Sequence, residues 1–525
     1  MTPPVDVGSV DPRTGAVNHG LGNETSVGQL EAALSDGASA GEALEEITLP
    51  ERVRALRHVA DAIAATSSLA ELADEETALG PVRLIGELAR TAGQFRLFAD
   101  VLEEGSLLEV TIDTRRAADE PGGPRPEIRR TSVGIGLVAV FGASNFPLAF
   151  GAAGTDTAAA LAAGCAVIAK SHPLHPRTSE AAVATVRAAL VECGWPAASL
   201  QLVHGLDVGV GLVQDPRVRA GAFTGSRAGG RALFDAACRR PSPIPFYAEL
   251  GSLNPVVVTP GAATARGRQL GLSLGASMTT GVGQFCTKPG LVLVPAGDVS
   301  AALRSAMAEV ISAQAAGVML GERLAQGFAA GNAHLASLPG ARQTAQGAAP
   351  TGPGGGAFGV ASLWEVPATT ALSRPDEVLE ECFGPTAVVV EYHGTAELLE
   401  VLGAVEGSLT MSLHSEPDEA ELARQVLRVG RRRAGRLLGA GVPTGVAVTW
   451  AIHHGGPWPA TTAPLHTSVG AHAIRRFLRP VAYQDIDEAF LPLELADDNP
   501  AGIVRRVDGH LTRQPVGAGP GSEAQ

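Results

Sequence analysis

VGIGLVAVFGASNFPLAFGAAG, residues Val133 to Gly154, decides the fold. It is apolar over a span long enough to cross a bilayer, so a membrane helix is the first possibility it raises. Asn145 and Pro147 stand in its middle, however. The residues before Ser144 have the β-branched, apolar character of a buried strand, and those after Pro147 have the small-residue character of a helix. A strand, a turn and a helix are therefore predicted, and no membrane span.

The same alternation continues downstream. Short apolar runs, GLVAVFGA from Gly136, CAVIAKS from Cys165, LQLVHG from Leu200 and AGAFTGS from Ala220, are separated by Ala-rich stretches of helical length. This βαβαβα pattern implies an α/β fold of Rossmann type, with parallel strands, right-handed crossovers and a ligand crevice at the strands' carboxyl ends. Upstream, Gln29 to Glu104 has the apolar spacing of helices. The runs LLEVTID and EIRRTSVG flank the Pro/Gly break ADEPGGPRP, which predicts a hairpin projecting from the sheet. After Pro255 the runs VVVTP, GLVLVP and TAVVVEY and helices such as SAALRSAMAEVISAQ predict a second α/β domain. AQGAAPTGPGGGAFG is expected to be a flexible loop, and the tail from Leu511 to Gln525 is expected to be disordered.

The charge of −14, without a concentrated Lys/Arg stretch, makes nucleic acid an unlikely partner. Five scattered cysteines do not form a disulfide framework and fit a reducing compartment. The first residues lack a basic n-region and an apolar h-region, so no secretory signal is expected and a cytoplasmic location is. His453 and His454 have no third ligand at suitable spacing, so no metal is expected. Of 40 basic residues only Lys170 and Lys288 are lysines, and both lie in conspicuous motifs.

Cys286 lies in GVGQFCTKPG, among glycines that let the backbone approach a ligand closely. By its spacing alone it is either a nucleophile on a turn or a buried thiol. The segments FGASNFPLAF, AGCAVIAKS, FTGS, AELGSLNPVVV, GVGQFCTKPG and EECFGP, in that order, resemble the motifs of the aldehyde dehydrogenase superfamily, over about Thr14 to Leu495. The stretches ETALGPVRLIGELARTAGQFRLFAD, LGAGVPTGV, HHGGPWPATT and TSVGAHAIRRFLRPVAYQ resemble the NADP-preferring α-ketoglutaric semialdehyde (2,5-dioxovalerate) dehydrogenases and related bacterial fatty aldehyde enzymes.

The resemblance implies that Cys286 adds to the aldehyde, that Asn145 donates to the oxyanion, and that Glu249 activates water to hydrolyse the thioester. Burial of Glu249 is expected to raise its pKa into a useful range. Glu381 would hold the nicotinamide ribose with Phe383 beside the ring, Gly225 and Ser226 the pyrophosphate, and Lys170 the adenosine ribose. Pro173 stands where NAD-preferring members often have a glutamate, and His172 and Arg177 are near enough to favour a 2′-phosphate, so NADP is expected, with NAD also open. The histidines of this loop equally suit a site with no ligand. Arg90, Arg96, Phe146 and Trp458 are candidate substrate contacts, each arginine alternatively a structural ion-pair partner. Lys288 either lowers the thiol pKa or points to solvent.

The expected organisation is a cofactor-binding domain of residues 1–107 and 131–251, to which 447–476 returns, a catalytic domain of 252–446, and bridging strands in 108–130 and 477–498 that make a small β oligomerisation element. A homodimer or homotetramer acting on a small aldehyde is expected. The alternatives are a medium- or long-chain fatty aldehyde enzyme and, in another class, a non-catalytic redox-sensing or scaffold protein of the same fold.

Overall fold

The computed structural model describes residues 6–18, 20–351 and 355–517. After a short antiparallel pair, Ser9–Val10 with Val17–Asn18, come four helices, Val27–Leu44, Leu49–Ala65, Ser68–Thr77 and Pro81–Glu104. Their boundaries have local causes. Ser26 and Gln29 form a reciprocal capping box, Thr48 and Glu51 form another, Pro81 starts the fourth helix, and Gly105 ends it in a left-handed conformation (φ 84°).

The first sheet has five parallel strands in the spatial order Leu200–Val203, Val167–Lys170, Leu137–Phe141, Val218–Thr224, Phe246–Glu249. Leu137–Phe141 is buried throughout, as a strand covered on both faces must be. Strand order reverses on either side of Leu137–Phe141, which places a crevice beyond its carboxyl end. The second sheet has seven strands, of which Ser362–Glu365, Thr386–Tyr392, Leu291–Pro295, Val256–Val258, Ser408–His414 and Ala434–Leu438 run parallel and Arg342–Gln346 antiparallel. The hairpin strands Thr111–Asp113 and Ile128–Gly134 pair antiparallel and join a third sheet, in which Ile128–Gly134 also pairs with Leu478–Gln484.

Three details differ from expectation. Helix does not resume after Pro147; turns occupy that stretch, and the helix runs from Thr155 to Ala162. The buried Glu87 carboxylate takes the N–H groups of Leu148 (2.8 Å) and Ala149 (3.0 Å), and a Cβ at Gly151 would lie 1.9 Å from the carbonyl of Pro147, so the chain folds tightly back on itself there. The tail is not disordered from Leu511: His510–Thr512 pairs with Arg505–Val507, while residues 518–525 lie outside the described residues. In the Gly/Pro-rich loop, Phe358–Gly359 pairs with Gly317–Val318, and residues 352–354 lie outside the described residues. Among the described residues no helix is long and apolar enough to cross a membrane.

Candidate active site

The loop between the Pro260–Thr279 helix and the Leu291–Pro295 strand carries Cys286. Gly281, Val282 and Gly283 have φ of 57°, 59° and 63°. At Gly283 no side chain fits, because a Cβ would lie 2.3 Å from the carbonyl of Gly384. The Cys286 loop thus packs backbone to backbone on the loop that carries Glu381 and Phe383. Asn254, fully buried, donates from Nδ2 to the carbonyls of Cys286 (2.8 Å) and Lys288 (2.9 Å), and its Oδ1 accepts from the N–H (3.2 Å) and hydroxyl (2.9 Å) of Thr410. Nothing in its spacing marks Asn254; its role comes from contacts distant in sequence.

Lys288 does not point to solvent. It is 1% exposed, and Nζ donates to the carbonyls of Thr386 (2.6 Å) and Cys382 (3.1 Å). Burial lowers its pKa, and the nearby Cys382 and Glu381 oppose that shift. Its ammonium ties the Cys286 loop to the Glu381 loop from behind.

The sulfur of Cys286 lies 3.6 Å from Nε2 of His454, and the same Nε2 lies 3.1 Å from Oε1 of Glu249. His454 is 1% exposed and Glu249 4%. His454 is brought there by a loop that returns to the edge of the first sheet: Leu250 N–H donates to the Ala460 carbonyl (2.8 Å), and the His454 N–H donates to Thr467 Oγ1 (2.8 Å). The hydroxyl of Ser468 donates to Oε2 of Glu249. Burial alone would depress the His454 pKa, but the charge of Glu249 and the neighbouring Cys286 raise it to about 10.

The same pairing overturns the expectation for Glu249. Burial does push its carboxyl upward, yet His454, Ser468 and the more distant Arg476 outweigh burial and hold it below the ordinary value. An imidazolium placed between a sulfur and a carboxylate stabilises negative charge on either. His454 has no third ligand by spacing along the chain, but the fold supplies two: donor atoms of Glu249, Cys286 and His454 all lie within 4.8 Å of one another.

These groups open on a cleft of about 310 Å³ at the carboxyl end of the first sheet, lined by Asn145, Gly225, Ser226, Glu249, Cys286, Glu381 and Phe383 among others. Asn145 donates one amide N–H to the Gln284 carbonyl (2.9 Å), which leaves the second for another acceptor. Ser226 caps the Arg227–Cys238 helix by accepting from Gly229 N–H (3.2 Å). A Cβ at Gly225 would lie 2.8 Å from the ring of Phe223, so the backbone there stays bare toward the cleft. Glu381 accepts from Ser252 N–H (3.1 Å), and burial inside the cleft raises its pKa to about 7, against Lys288.

Other expected contacts fall elsewhere. Lys170 lines a separate cavity of about 100 Å³ with Glu24, Pro173 and His204. His172 stacks on His175 (5.1 Å between ring centroids), and burial holds its pKa well below the ordinary range, so it carries no charge for a phosphate. Arg177 pairs with Glu75 at 3.0 Å. Arg96 is exposed and pairs with Asp61 at 2.8 Å; six residues after Arg90, it lies about 120° round the helix from it. Trp458 is 40% exposed beneath the guanidinium groups of Arg227 (5.8 Å) and Arg231 (5.5 Å), next in the chain to Pro459, which lines the cleft.

Arg90 does lie near Cys286, with a partner that sequence reasoning missed. Arg83 and Arg90 lie on one helix face, with Glu87 between them. Arg83 stacks over Phe146 (4.9 Å) and Phe285 (4.5 Å), and Arg90 over Phe150 (5.3 Å) and Phe146 (6.0 Å). Nε and Nη1 of Arg83 and Nε and Nη2 of Arg90 are buried with no hydrogen-bond partner, and both guanidinium groups feel the charge of Cys286. The seven-residue spacing is the signal that would have found Arg83.

A doubly wound parallel sheet whose crevice faces a cysteine from a second α/β unit defines a class of dinucleotide-dependent oxidoreductases. The chain belongs to the aldehyde dehydrogenase family, whose profile matches residues 5–436, and members of that family use NAD(P). It is 46% identical over 485 residues to alpha-ketoglutaric semialdehyde dehydrogenase 2 of Azospirillum brasilense, covering 91% of each chain. It is 41% identical over 449 residues to alpha-ketoglutaric semialdehyde dehydrogenase of Acinetobacter baylyi, covering 85% of this chain and 84% of that one. An NAD-dependent aldehyde dehydrogenase from Sinorhizobium meliloti shares the fold, with a TM-score of 0.75 at 22% identity over 91% of each chain.

Proposed function

We propose that the protein oxidises α-ketoglutaric semialdehyde to α-ketoglutarate with NADP. The observation that carries the substrate reading is the pair Arg83 and Arg90 near Cys286: Nη2 of Arg83 donates to the Asn145 carbonyl, while Nε and Nη1 of Arg83 and Nε and Nη2 of Arg90 are buried without an acceptor. Unsatisfied cationic donors are costly, and a carboxylate at the far end of an aldehyde would satisfy several at once. Glu87 offsets part of their charge, but one of its oxygens is taken by the N–H groups of Leu148 and Ala149, and burial pushes its pKa upward. The two semialdehyde dehydrogenases among the relatives support the same substrate.

In this reading Cys286 attacks the carbonyl carbon, and the imidazolium of His454 stabilises charge on the sulfur. The free N–H of Asn145 receives the oxyanion. The dinucleotide, when bound, supplies the hydride acceptor; Glu381 would hold its ribose and the Gly225–Ser226 helix start its pyrophosphate. Glu249 then takes a proton from the water that hydrolyses the Cys286 thioester, once its hold on His454 is relaxed. NADP over NAD rests on Lys170 and on Pro173 in place of a carboxylate; Glu24 in the same cavity works against it, so a partial preference is expected.

The domain boundaries given above stand as part of this proposal, as do a cytoplasmic location, in keeping with five free cysteines, and a homodimer or homotetramer built on the Leu478–Gln484 strand, which pairs along one edge only. The deciding experiment compares kcat/KM for α-ketoglutaric semialdehyde, succinic semialdehyde and a medium-chain aldehyde with both dinucleotides. A clear preference for the first substrate is expected. A flat profile would remove the carboxylate clamp, and a preference for the medium-chain aldehyde would favour a fatty aldehyde enzyme.

A further inference from the structure

We infer that Cys286, His454 and Glu249 together form an inhibitory binding site for a zinc-like transition-metal ion. The inference begins with donor chemistry. Thiolate sulfur, imidazole nitrogen and carboxylate oxygen are the ligand types that zinc takes, whereas calcium and magnesium take oxygen alone.

Geometry agrees. With a Zn–S distance of about 2.3 Å and Zn–N and Zn–O distances of about 2.0 Å, the edges of a tetrahedron are about 3.5 Å from sulfur to nitrogen and about 3.3 Å from nitrogen to oxygen. Here two edges match, Cys286 Sγ to His454 Nε2 at 3.6 Å and His454 Nε2 to Glu249 Oε1 at 3.1 Å; the sulfur and the carboxylate oxygen, which lie within 4.8 Å of each other, would close to about 3.5 Å around an ion. The Nε2 atom already faces both other donors. A metal ion would take the place of the proton it shares with them, Cys286 binding as the thiolate with its proton released to solvent.

The donors are also held in place. Ser468 engages the other oxygen of Glu249, Thr467 fixes the His454 backbone at 2.8 Å, and Asn254 fixes the Cys286 carbonyl at 2.8 Å. Such contacts around the ligands strengthen metal sites, although the Nδ1 of His454 has no partner of its own. Cys286 lines the open cleft, so a fourth position remains for water. Inhibition, as distinct from binding, rests on the reading of Cys286 as the nucleophile: a sulfur bound to metal cannot attack an aldehyde.

The test strips the full-length protein with a chelator and titrates it with Co²⁺ in thiol-free buffer, following the thiolate-to-cobalt charge-transfer absorption. Saturation near one equivalent, bleaching by Zn²⁺ and loss of the band in Cys286→Ser are expected. His454→Gln and Glu249→Gln should each weaken binding by at least about tenfold. Cys193→Ser and Cys238→Ser, at exposed thiols, should leave the band intact. No band, a band that survives Cys286→Ser, or one lost with Cys193 or Cys238 would overturn the site. Zn²⁺ should also abolish turnover, with recovery in EDTA; full turnover with metal bound would leave the binding site standing and refute its inhibitory role together with the nucleophile assignment.

Discussion

The two sides of Cys286 are satisfied to opposite degrees. Toward the first sheet, His454 pairs with Glu249 and Ser468 donates to Glu249, which leaves His454 Nδ1 as the one buried polar atom of these three side chains without a partner. Toward the Pro81–Glu104 helix, Arg83 and Arg90 have aromatic faces to stack on but four buried nitrogen atoms without an acceptor. Matched charges need no ligand and can be built for chemistry. Unmatched donors in a protein interior call for an acceptor from outside. In the proposed mechanism, reaction falls to one side and recognition of the substrate's distal group to the other.

The largest effects should come from the matched side. Cys286→Ala is expected to lower turnover by at least about 10⁴-fold for every aldehyde, because no other thiol lines the cleft. Activity within a factor of ten of the parent, measured as NADPH formation, would move the nucleophile elsewhere. Glu249→Gln should cost about 10² to 10⁴-fold in steady-state rate. Its first turnover should persist as a burst of NADPH and leave a thioester that mass spectrometry detects. A full-rate steady state would free Glu249 of its role as base.

The recognition side should show smaller effects that depend on substrate. Arg83→Met or Arg90→Met keeps much of the apolar stem and removes the charge. A charged hydrogen bond contributes about 1.5–3 kcal/mol, so kcat/KM for α-ketoglutaric semialdehyde should fall about 10- to 100-fold while that for a medium-chain aldehyde stays within about threefold. Equal losses on both substrates would mean that the two arginines support the fold rather than select the substrate. Arg96→Met, on another face of the helix and paired with Asp61, serves as the control and should change neither value by more than about twofold.

The two sides were also unequally legible in the sequence. The alternation of strand and helix is local and periodic, so the first sheet can be read from runs such as GLVAVFGA and CAVIAKS. Cys286, Glu249 and Asn145 stand out through motifs of the family. His454 does not: it reaches the sulfur across 168 residues, through a loop whose course depends on pairing at the sheet edge. Its neighbour in sequence, His453, looks equivalent there and is distinguished only by the fold. Turns replace the helix expected directly after Pro147 for a similar reason, since the acceptor that holds them is Glu87, some sixty residues upstream. Arg83 is the exception. Its spacing from Glu87 and Arg90 along one helix face was available from the sequence, and the six-residue step from Arg90 to Arg96 likewise puts Arg96 on another face.

The smallest effect concerns the cofactor side of the cleft, where a single carboxyl is neither fully matched nor unmatched. Glu381 has one donor, Ser252 N–H, and its pKa in the empty cleft is raised to about 7, chiefly by burial. Ribose hydroxyls donate, so the ionised carboxylate is the form that binds them, and dinucleotide binding draws the proton off. Affinity should therefore rise with pH through 7: the apparent Kd for NADP should be about tenfold weaker at pH 6 than at pH 8. Glu381→Gln cannot ionise and should bind more weakly at pH 8 with this component of the pH dependence removed. Fluorescence titration of the two proteins at both pH values checks it. If the parent shows no change between pH 6 and pH 8, Glu381 is either already ionised in the empty cleft or does not touch the dinucleotide, and an unchanged affinity in Glu381→Gln at pH 8 would single out the second.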